Sequence, residues 1–507
     1  MRKSKMSDNT SRIRPFLIFA KKNIDTSSDM GRASSSVTIH DDCACPDDGF
    51  APMPATLHPG DFFNKRFSLP QLHQEQLDDT HALLFNPHGQ TGVVLLNQAS
   101  LELLNQFQTP RTLTDAVLTN CDLPGGLAAA QQLVQLGLLQ PEGLVPQPQR
   151  GQPQTLTAWL HVTNACNLRC PYCYLHKTPD QMELAHGRFA IEAIFRSATN
   201  NNFRRVKIKY AGGEATLNMK TVLALHRYAQ ELADLHELEL TGVILSNGVA
   251  FSARIIEAIE QSGLRLMISL DGVGEVHDAQ RHFANGAGSF AHVERTLDRL
   301  QVAGLTPTIS ITVTNRTLHG LADTVRYVLK RKLPFSLNFF RENECAAPVA
   351  DLPFSEKTII EAMEEAFAVI ESDLPRHSLL GAIIDRARLD TLHDRPCGVG
   401  QNYLVIDQNG QVAKCQMEIE QPITDVRVHD PLAAVRADTI HLQNPSVDEK
   451  EGCRSCHWRY WCAGGCPALT YRATGRFDVK SPNCNIYKSL FPAVLRLEAL
   501  RLLKYAV

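Results

Sequence analysis

The feature that most constrains this chain is the way its cysteines are grouped. Three lie in one short stretch, Cys166-Asn-Leu-Arg-Cys170-Pro-Tyr-Cys173, and seven follow later at Cys397, Cys415, Cys453, Cys456, Cys462, Cys466 and Cys484. In a small secreted domain such spacing would be read as a disulfide framework. This chain has 507 residues and its N-terminal apolar patch, Pro15 to Ala20, is too short for a signal segment. Clustered thiols in a long chain of ordinary globular composition point instead to bound metal. The expected address is cytoplasmic. A formal net charge of -3 offers no basic footprint for nucleic acid or anionic lipid. No apolar run approaches the roughly 20 residues of a membrane helix.

Residues 1–60 are rich in Ser, Asp, Asn and Pro and read as a disordered tail, with Cys43 and Cys45 as incidental exposed thiols. Residues 61–150 read as a small winged-helix-like domain. Strands are expected at His81–Phe85 and Gly92–Leu96 around an Asn86-Pro87-His88-Gly89 turn, followed by helical patterns at Gln98–Gln106, Leu113–Leu118 and Gly126–Leu136. Cys121 is expected to be structural. From Thr157 onward, apolar strands alternate with helical segments. The strands are Ala158–Val162, Val206–Tyr210, Gly242–Leu245, Leu266–Leu270, Thr308–Val313 and Phe335–Phe340. Helices between them include Thr221–Leu235, Ser252–Gln261, Phe290–Val302 and Leu318–Lys330. Six such units predict an α/β fold, a partial (β/α)6 barrel over 151–345, with its site at the C-terminal strand ends. A helical linker over 346–390 and a cysteine-rich domain over 391–507 ending in an amphipathic helix complete the chain.

The CxxxCxxC loop falls directly after the first barrel strand. Three thiolates this close can hold one face of an iron–sulfur cubane and leave the fourth iron open. A structural zinc site is the alternative, with His176 as a possible fourth ligand. In this loop the sequence resembles the radical S-adenosylmethionine superfamily, and four further segments fit: Ala211-Gly212-Gly213-Glu214, Ser246-Asn247-Gly248, Ser269-Leu-Asp271-Gly272 and His277-Asp278-Ala-Gln-Arg281. The resemblance implies that Cys166, Cys170 and Cys173 bind a [4Fe–4S] cluster. It also implies that Gly212, Gly213 and Glu214 meet the methionine amino group of S-adenosylmethionine. Ser269 and Arg281 would meet its ribose and carboxylate, and Tyr172 its adenine.

The second group resembles the SPASM domain of peptide-modifying radical enzymes. The resemblance assigns Cys453, Cys456, Cys462 and Cys484 to one auxiliary [4Fe–4S] cluster and Cys397, Cys415 and Cys466 to another. A zinc ribbon is the alternative. The fullest pattern has one more cysteine before Cys397. Here that stretch reads Thr391-Leu-His393-Asp394-Arg-Pro, so the corner is either open to substrate or closed by His393, Asp394 or Cys345. Cys345 is otherwise expected to be a buried spectator. Sulfatase-maturing relatives carry an aspartate as base after the residue matching Cys415, where this chain has Gln416, a poor proton acceptor. No catalytic base is identified.

The resemblance implies oxidation of a side chain in a ribosomally made peptide or protein through a 5′-deoxyadenosyl radical, giving a crosslink or a dehydrogenated residue. The partners would be a substrate with a leader segment and an electron donor such as a flavodoxin or ferredoxin, with no nucleic acid or membrane. A sulfatase-type formylglycine maturase and a non-catalytic metal-bearing scaffold are the alternatives. Within 61–150, Lys65, Arg66, Arg111 and Arg150 are outnumbered by acidic side chains, so this domain suits an extended peptide added to a sheet edge better than a phosphate backbone.

Overall fold

The computed structural model describes residues 17–19, 64–89, 91–119, 125–143 and 151–505. Cys43, Cys45 and Cys121 lie outside them, as does most of the expected tail. The exception is Leu17–Phe19, which is a strand. Among the described residues, no helix is long and apolar enough to cross a membrane.

The chain divides into two compact units. The smaller contains residues 64–143, the strand β1 (Leu17–Phe19) and residues 495–505. Its sheet has the order β1-β5-β4-β3, with β3 at His73–Gln76, β4 at His81–Phe85 and β5 at Val93–Asn97, all antiparallel. A two-stranded ribbon pairs β2 (Phe67–Ser68) with β6 (Gln140–Pro141). The strands β4 and β5 form because each is a short run of apolar residues bounded by turn formers. The Asn86 side chain accepts from His88 N at 2.9 Å and donates to Gly137 O at 2.6 Å, closing the turn between them. Helices follow at Gln98–Asn105, Leu113–Thr119 and Gly126–Gln135; Asn97 caps the first by accepting from Ser100 N. Leu84, Val94, Leu96, Leu104, Phe107 and Leu133 form the core of this unit, each contributing about 2 kcal/mol by burial. The sequence reading differs here in one respect: the C-terminal end of the last helix belongs to this unit, where Arg496 pairs with Glu75 of β3 at 2.8 Å. Apolar periodicity marks a helix but not the surface that receives it.

The larger unit covers residues 151–494. Six parallel strands stand in chain order: β7 (Thr155–His161), β8 (Arg205–Ala211), β9 (Glu239–Ser246), β10 (Arg265–Ser269), β11 (Thr308–Val313) and β12 (Phe335–Phe339). Helices Leu184–Asn200, Met219–Leu235, Ala253–Ser262, Phe290–Val302 and Leu321–Lys330 occupy the crossovers. Ser252 is a cap, not the first helical residue; its hydroxyl accepts from Ile255 N. The result is an open α/β barrel of six strands, with all C-terminal ends on one rim.

The cysteine-rich segment continues this same sheet. β13 (Tyr403–Ile406) adds parallel to β7, and β14 (Gln411–Ala413) and β15 (Thr424–Asp425) follow antiparallel. Register is set by Asn402, whose carbonyl accepts from Thr157 N and whose side chain donates to Thr155 O, both at 2.9 Å. Asp430 bolts the far side: its carboxylate accepts from Ser197 Oγ at 2.7 Å and Asn201 Nδ2 at 2.9 Å. Residues 151–345, 346–390 and 391–494 therefore form one packed body.

Four imidazoles are buried in this body. Burial lowers His161, His226, His277 and His393 from 6.5 to about 4. A neutral buried imidazole stabilises the fold above the unfolded value, and that stability is lost as pH falls from about 6.5 toward 4, roughly 3 kcal/mol per imidazole at most. The melting temperature is accordingly expected to drop between pH 7 and pH 4.5. A flat profile over that range would mean that these rings are already solvated.

Candidate functional site

The loop Cys166–Cys173 leaves the C-terminal end of β7 and is tied down along its length. The Cys166 sulfur accepts from Leu168 N at 3.4 Å, and Arg169 Nη1 donates to Cys166 O at 2.8 Å. Asn247, after β9, donates to Asn167 Oδ1 at 2.7 Å and approaches Cys166 Sγ at 3.9 Å. Arg169 N donates to His282 O at 2.8 Å. All three thiols face a cavity of about 280 Å³ that opens at the strand ends. Burial pushes the Cys170 thiol up to about 11 and raises Cys166 as well. A cation is what would draw those protons off. Among the described residues, no three His, Cys, Asp or Glu side chains converge closely enough to hold a single metal ion.

Gly212 and Gly213 follow β8. A Cβ on Gly212 would lie 2.5 Å from Thr163 O, and one on Gly213 would lie 2.4 Å from Ala165 O. The pair is glycine because the backbone leading into the cysteine loop packs onto it, an approach sealed by Gly213 N to Thr163 O at 2.8 Å and Glu214 N to Ala165 O at 2.9 Å. The following Glu214 is buried beside the cavity. Its carboxylate accepts from Ser246 Oγ and Asn247 N, both at 2.7 Å, and from Thr216 Oγ1 at 2.6 Å.

Tyr172, Ser269 and Arg281 also face this cavity. The Arg281 guanidinium forms a buried ion pair with Asp271 at 3.3 Å and donates to the Tyr172 hydroxyl, which in turn donates to Asp271 at 2.6 Å. Gln280 Nε2 at 3.1 Å and Thr312 N at 2.8 Å complete the shell of Asp271. Behind it, His277 Nδ1 accepts from Asp271 N at 3.3 Å, and its Nε2 meets Ser289 Oγ at 3.0 Å. Ser289 Oγ donates to Arg281 O at 2.5 Å. Arg281 Nε remains buried with no hydrogen-bond partner. Asp271 lies in the Ser269-Leu-Asp271-Gly272 segment, whose spacing alone gives it no role. Its place beside Arg281 is what makes it the anchor.

Cys397, Cys415 and Cys466 lie in one apolar cluster with Leu175 and Tyr403, against which Cys173 and Tyr174 also pack. Cys453, Cys456, Cys462 and Cys484 surround a second, small cavity with Trp458 and Lys488. Burial raises the thiols of Cys453 to about 11 and Cys462 to about 12. Burial acts upward on Cys466 too, but Arg341 and Arg386 outweigh it and leave that thiol lowered. Arg341 is held by Asp385 at 2.7 Å. Arg386 adopts a left-handed φ of 59° and keeps Nη1 buried without a partner. Lys450 is fully buried, donates to Ala463 O at 3.1 Å and interacts electrostatically with Cys453, Cys397, Cys462 and Cys466. None of these cations stood out in the sequence, because a lone Arg or Lys in an irregular stretch reads as surface. Gln416 lines the main cavity and accepts from Tyr403 OH at 3.0 Å. His393 is buried, its Nδ1 against Thr391 O. Asp394 pairs with Arg395 at 2.8 Å. Cys345 departs from both expectations: it is neither fully buried nor grouped with those thiols, and lies instead beside His176.

Residues 160–328 match the family model described as the radical SAM superfamily. An uncharacterized protein of Methanocaldococcus jannaschii is 28% identical over 34% of this chain, and the match spans 57% of that protein's own length. The antilisterial bacteriocin subtilosin biosynthesis protein AlbA of Bacillus subtilis is 23% identical over 62% of this chain and 67% of its own. A cysteine-type anaerobic sulfatase-maturating enzyme of Clostridium perfringens is 20% identical over 60% of this chain and 86% of its own. The fold is shared with a solved structure, native anSMEcpe with bound AdoMet, at a TM-score of 0.56 and 17% identity, over 68% of this chain and 99% of that one. The superfamily uses a [4Fe–4S] cluster with S-adenosylmethionine, and SPASM-type relatives carry auxiliary clusters. On its cysteine loop, its parallel sheet and the match over residues 160–328, the chain carries a radical SAM domain and is similar to SPASM-type peptide maturases.

Proposed function

We propose that this enzyme oxidises a side chain of a ribosomally made peptide or protein, producing a crosslink or a double bond. The observation that carries the reading is the single cavity onto which three thiols, the Glu214 carboxylate and the Arg281 guanidinium open together. The donor set fits the family's cofactors. Cys166, Cys170 and Cys173 would hold a [4Fe–4S] cluster by three irons. Glu214 supplies a buried anion for an ammonium group, and the unpartnered Arg281 Nε awaits an anion. The Ser269 hydroxyl suits a sugar. Bound there, the cluster and S-adenosylmethionine supply reductive sulfonium cleavage and removal of a hydrogen atom from carbon.

The chain's own residues orient and shield. Asp271 fixes Arg281 and the Tyr172 hydroxyl, so neither group needs to reorganise when a ligand enters. Trp159, Met267, Phe339 and Met417 give the cavity apolar walls that limit water. Cys397, Cys415 and Cys466 on one side, and Cys453, Cys456, Cys462 and Cys484 further off, would hold two auxiliary [4Fe–4S] clusters able to take up an electron from the substrate. Lys450 and Arg386 would offset part of their negative charge.

A peptide substrate is supported by the similarity to AlbA and by the smaller unit. That unit offers a sheet whose edge strand, β3, could receive an extended leader by strand addition. Formylglycine formation is the second reading, favoured by the similarity to the sulfatase-maturating enzyme. Against it, Gln416 is an amide already hydrogen-bonded to Tyr403.

Anaerobically reconstituted protein is expected to carry roughly twelve irons per chain and to release 5′-deoxyadenosine with dithionite and S-adenosylmethionine. Cys170→Ala should lower iron to roughly eight and abolish that product; wild-type product formation in the variant would remove the first cluster from this loop. Offered a peptide with a sulfatase-type cysteine, the enzyme should leave the cysteine unconverted. Formylglycine at rates matching the overall cofactor turnover would instead select the second reading.

A further inference from the structure

The walls of the main cavity are strongly unbalanced in charge. Lys177, Arg281, Arg341 and Arg386 line it, against the single carboxylate of Glu214 among the described residues. Two of these cations are answered: Arg281 pairs with Asp271 at 3.3 Å and Arg341 with Asp385 at 2.7 Å. Among the described residues, neither Lys177 nor Arg386 pairs with a carboxylate.

Arg386 is the more constrained of the two. Its φ is 59°, a left-handed value that residues other than Gly, Asn and Asp seldom adopt. The chain is pinned on both sides of it. Ala387 N donates to Ile384 O at 3.1 Å, Arg388 N donates to Trp461 O at 2.8 Å, and the Asp385 carboxylate is held by Arg341. Backbone strain that neighbours enforce this firmly fixes the direction of the side chain. That side chain is half-buried on the cavity wall, and its Nη1 is enclosed with no hydrogen-bond partner. An enclosed N–H without an acceptor costs the desolvation of the group, which an acceptor entering the cavity recovers. The planar fork of a guanidinium is matched best by a carboxylate. The carboxylate of S-adenosylmethionine is already provided for by Arg281 in the proposed function. Arg386 acts electrostatically on Cys466 and Cys397, so it lies on the wall toward the later cysteines.

We propose that Arg386 is a specificity residue that binds a carboxylate of the substrate, carried beside the reacting residue by an acidic side chain or by the chain terminus. That the carrier is a peptide rests on the proposed function; the preference of this guanidinium for a carboxylate does not. Lys177 adds positive charge to the same cavity and favours entry of an anionic segment over a neutral one.

The test titrates iron-loaded enzyme with S-adenosylmethionine bound and no reductant, so that Glu214 and Arg281 are occupied. The probes are acetylated pentapeptides: Gly-Ala-Glu-Ala-Gly-amide, Gly-Ala-Gln-Ala-Gly-amide, and Gly-Ala-Gln-Ala-Gly with a free terminal carboxylate. By calorimetry, one or both of the carboxylate peptides should bind about tenfold or more tighter than the all-amide peptide. Which of them does so identifies the source of the carboxylate. In Arg386→Gln that preference should fall to about twofold or less, with affinity for S-adenosylmethionine unchanged. Iron content reports folding. Arg386→Asn, whose side chain tolerates a left-handed backbone, gives the same readout if the glutamine variant loads no iron. Equal affinity, or no detectable binding, for all the peptides in the wild type overturns the proposal, as does an unchanged preference in the variants. A carboxylate preference in enzyme that releases no 5′-deoxyadenosine would support the assignment of Arg386 while removing the peptide-oxidation reading.

Discussion

The site depends on a close backbone contact. Gly212 and Gly213 let the end of β8 pack directly on Thr163–Ala165, the lead-in to the cysteine loop, at distances that any side chain would block. Two main-chain hydrogen bonds then hold the loop against the neighbouring strand end. A loop bearing three thiols would otherwise sample many shapes, since a few rotatable residues separate each sulfur. The contact places Glu214 in the same stroke, because its backbone N–H is one of the two donors. Ligand-bearing loop and acidic side chain are thus positioned by one event.

The second organising feature is the buried charge at Asp271. A carboxylate with no exposed surface is costly unless every lone pair is answered. Here Arg281, Tyr172, Gln280 and the main chain of Thr312 answer it. The arrangement joins the cysteine loop to the ends of β10 and β11. It also presets Arg281, so the guanidinium faces the cavity without freedom to turn away. His277 and Ser289 extend the network to the carbonyl of Arg281 itself.

The extension of the sheet by β13 has a comparable effect on the remaining cysteines. Because Tyr403–Ile406 pairs with β7, Cys397 and Cys415 flank a strand adjacent to the one that leads into the first loop. The Cys397, Cys415 and Cys466 cluster therefore shares packing with Cys173 and Tyr174. The cations set among the thiols, buried Lys450 and half-buried Arg386, lower the electrostatic cost of gathering them.

Local pattern carried much of this protein. The alternation of apolar strands with amphipathic helices was enough to locate the six parallel strands, and the two cysteine groups were legible as groups from their spacing along the chain. The strands of the smaller unit were half visible: β4 and β5 are apolar runs, whereas His73–Gln76 is polar and is a strand because β4 lies beside it. Leu17–Phe19 is likewise a strand through its pairing with β5. Other features arise from contacts between residues far apart in the chain, which periodicity does not encode. The joining of the cysteine-rich segment to the barrel sheet, the docking of residues 495–505 in the smaller unit and the anchoring role of Asp271 are of this kind. So is the meeting of Cys345 with His176 and Glu420, separated by as many as 244 residues. Chain-local pattern sufficed for most of the elements and for which sulfurs lie near one another along the chain; packing decided the short strands β1 and β3 and which charges and thiols face one another, because that depends on how strands register and which surfaces bury each other.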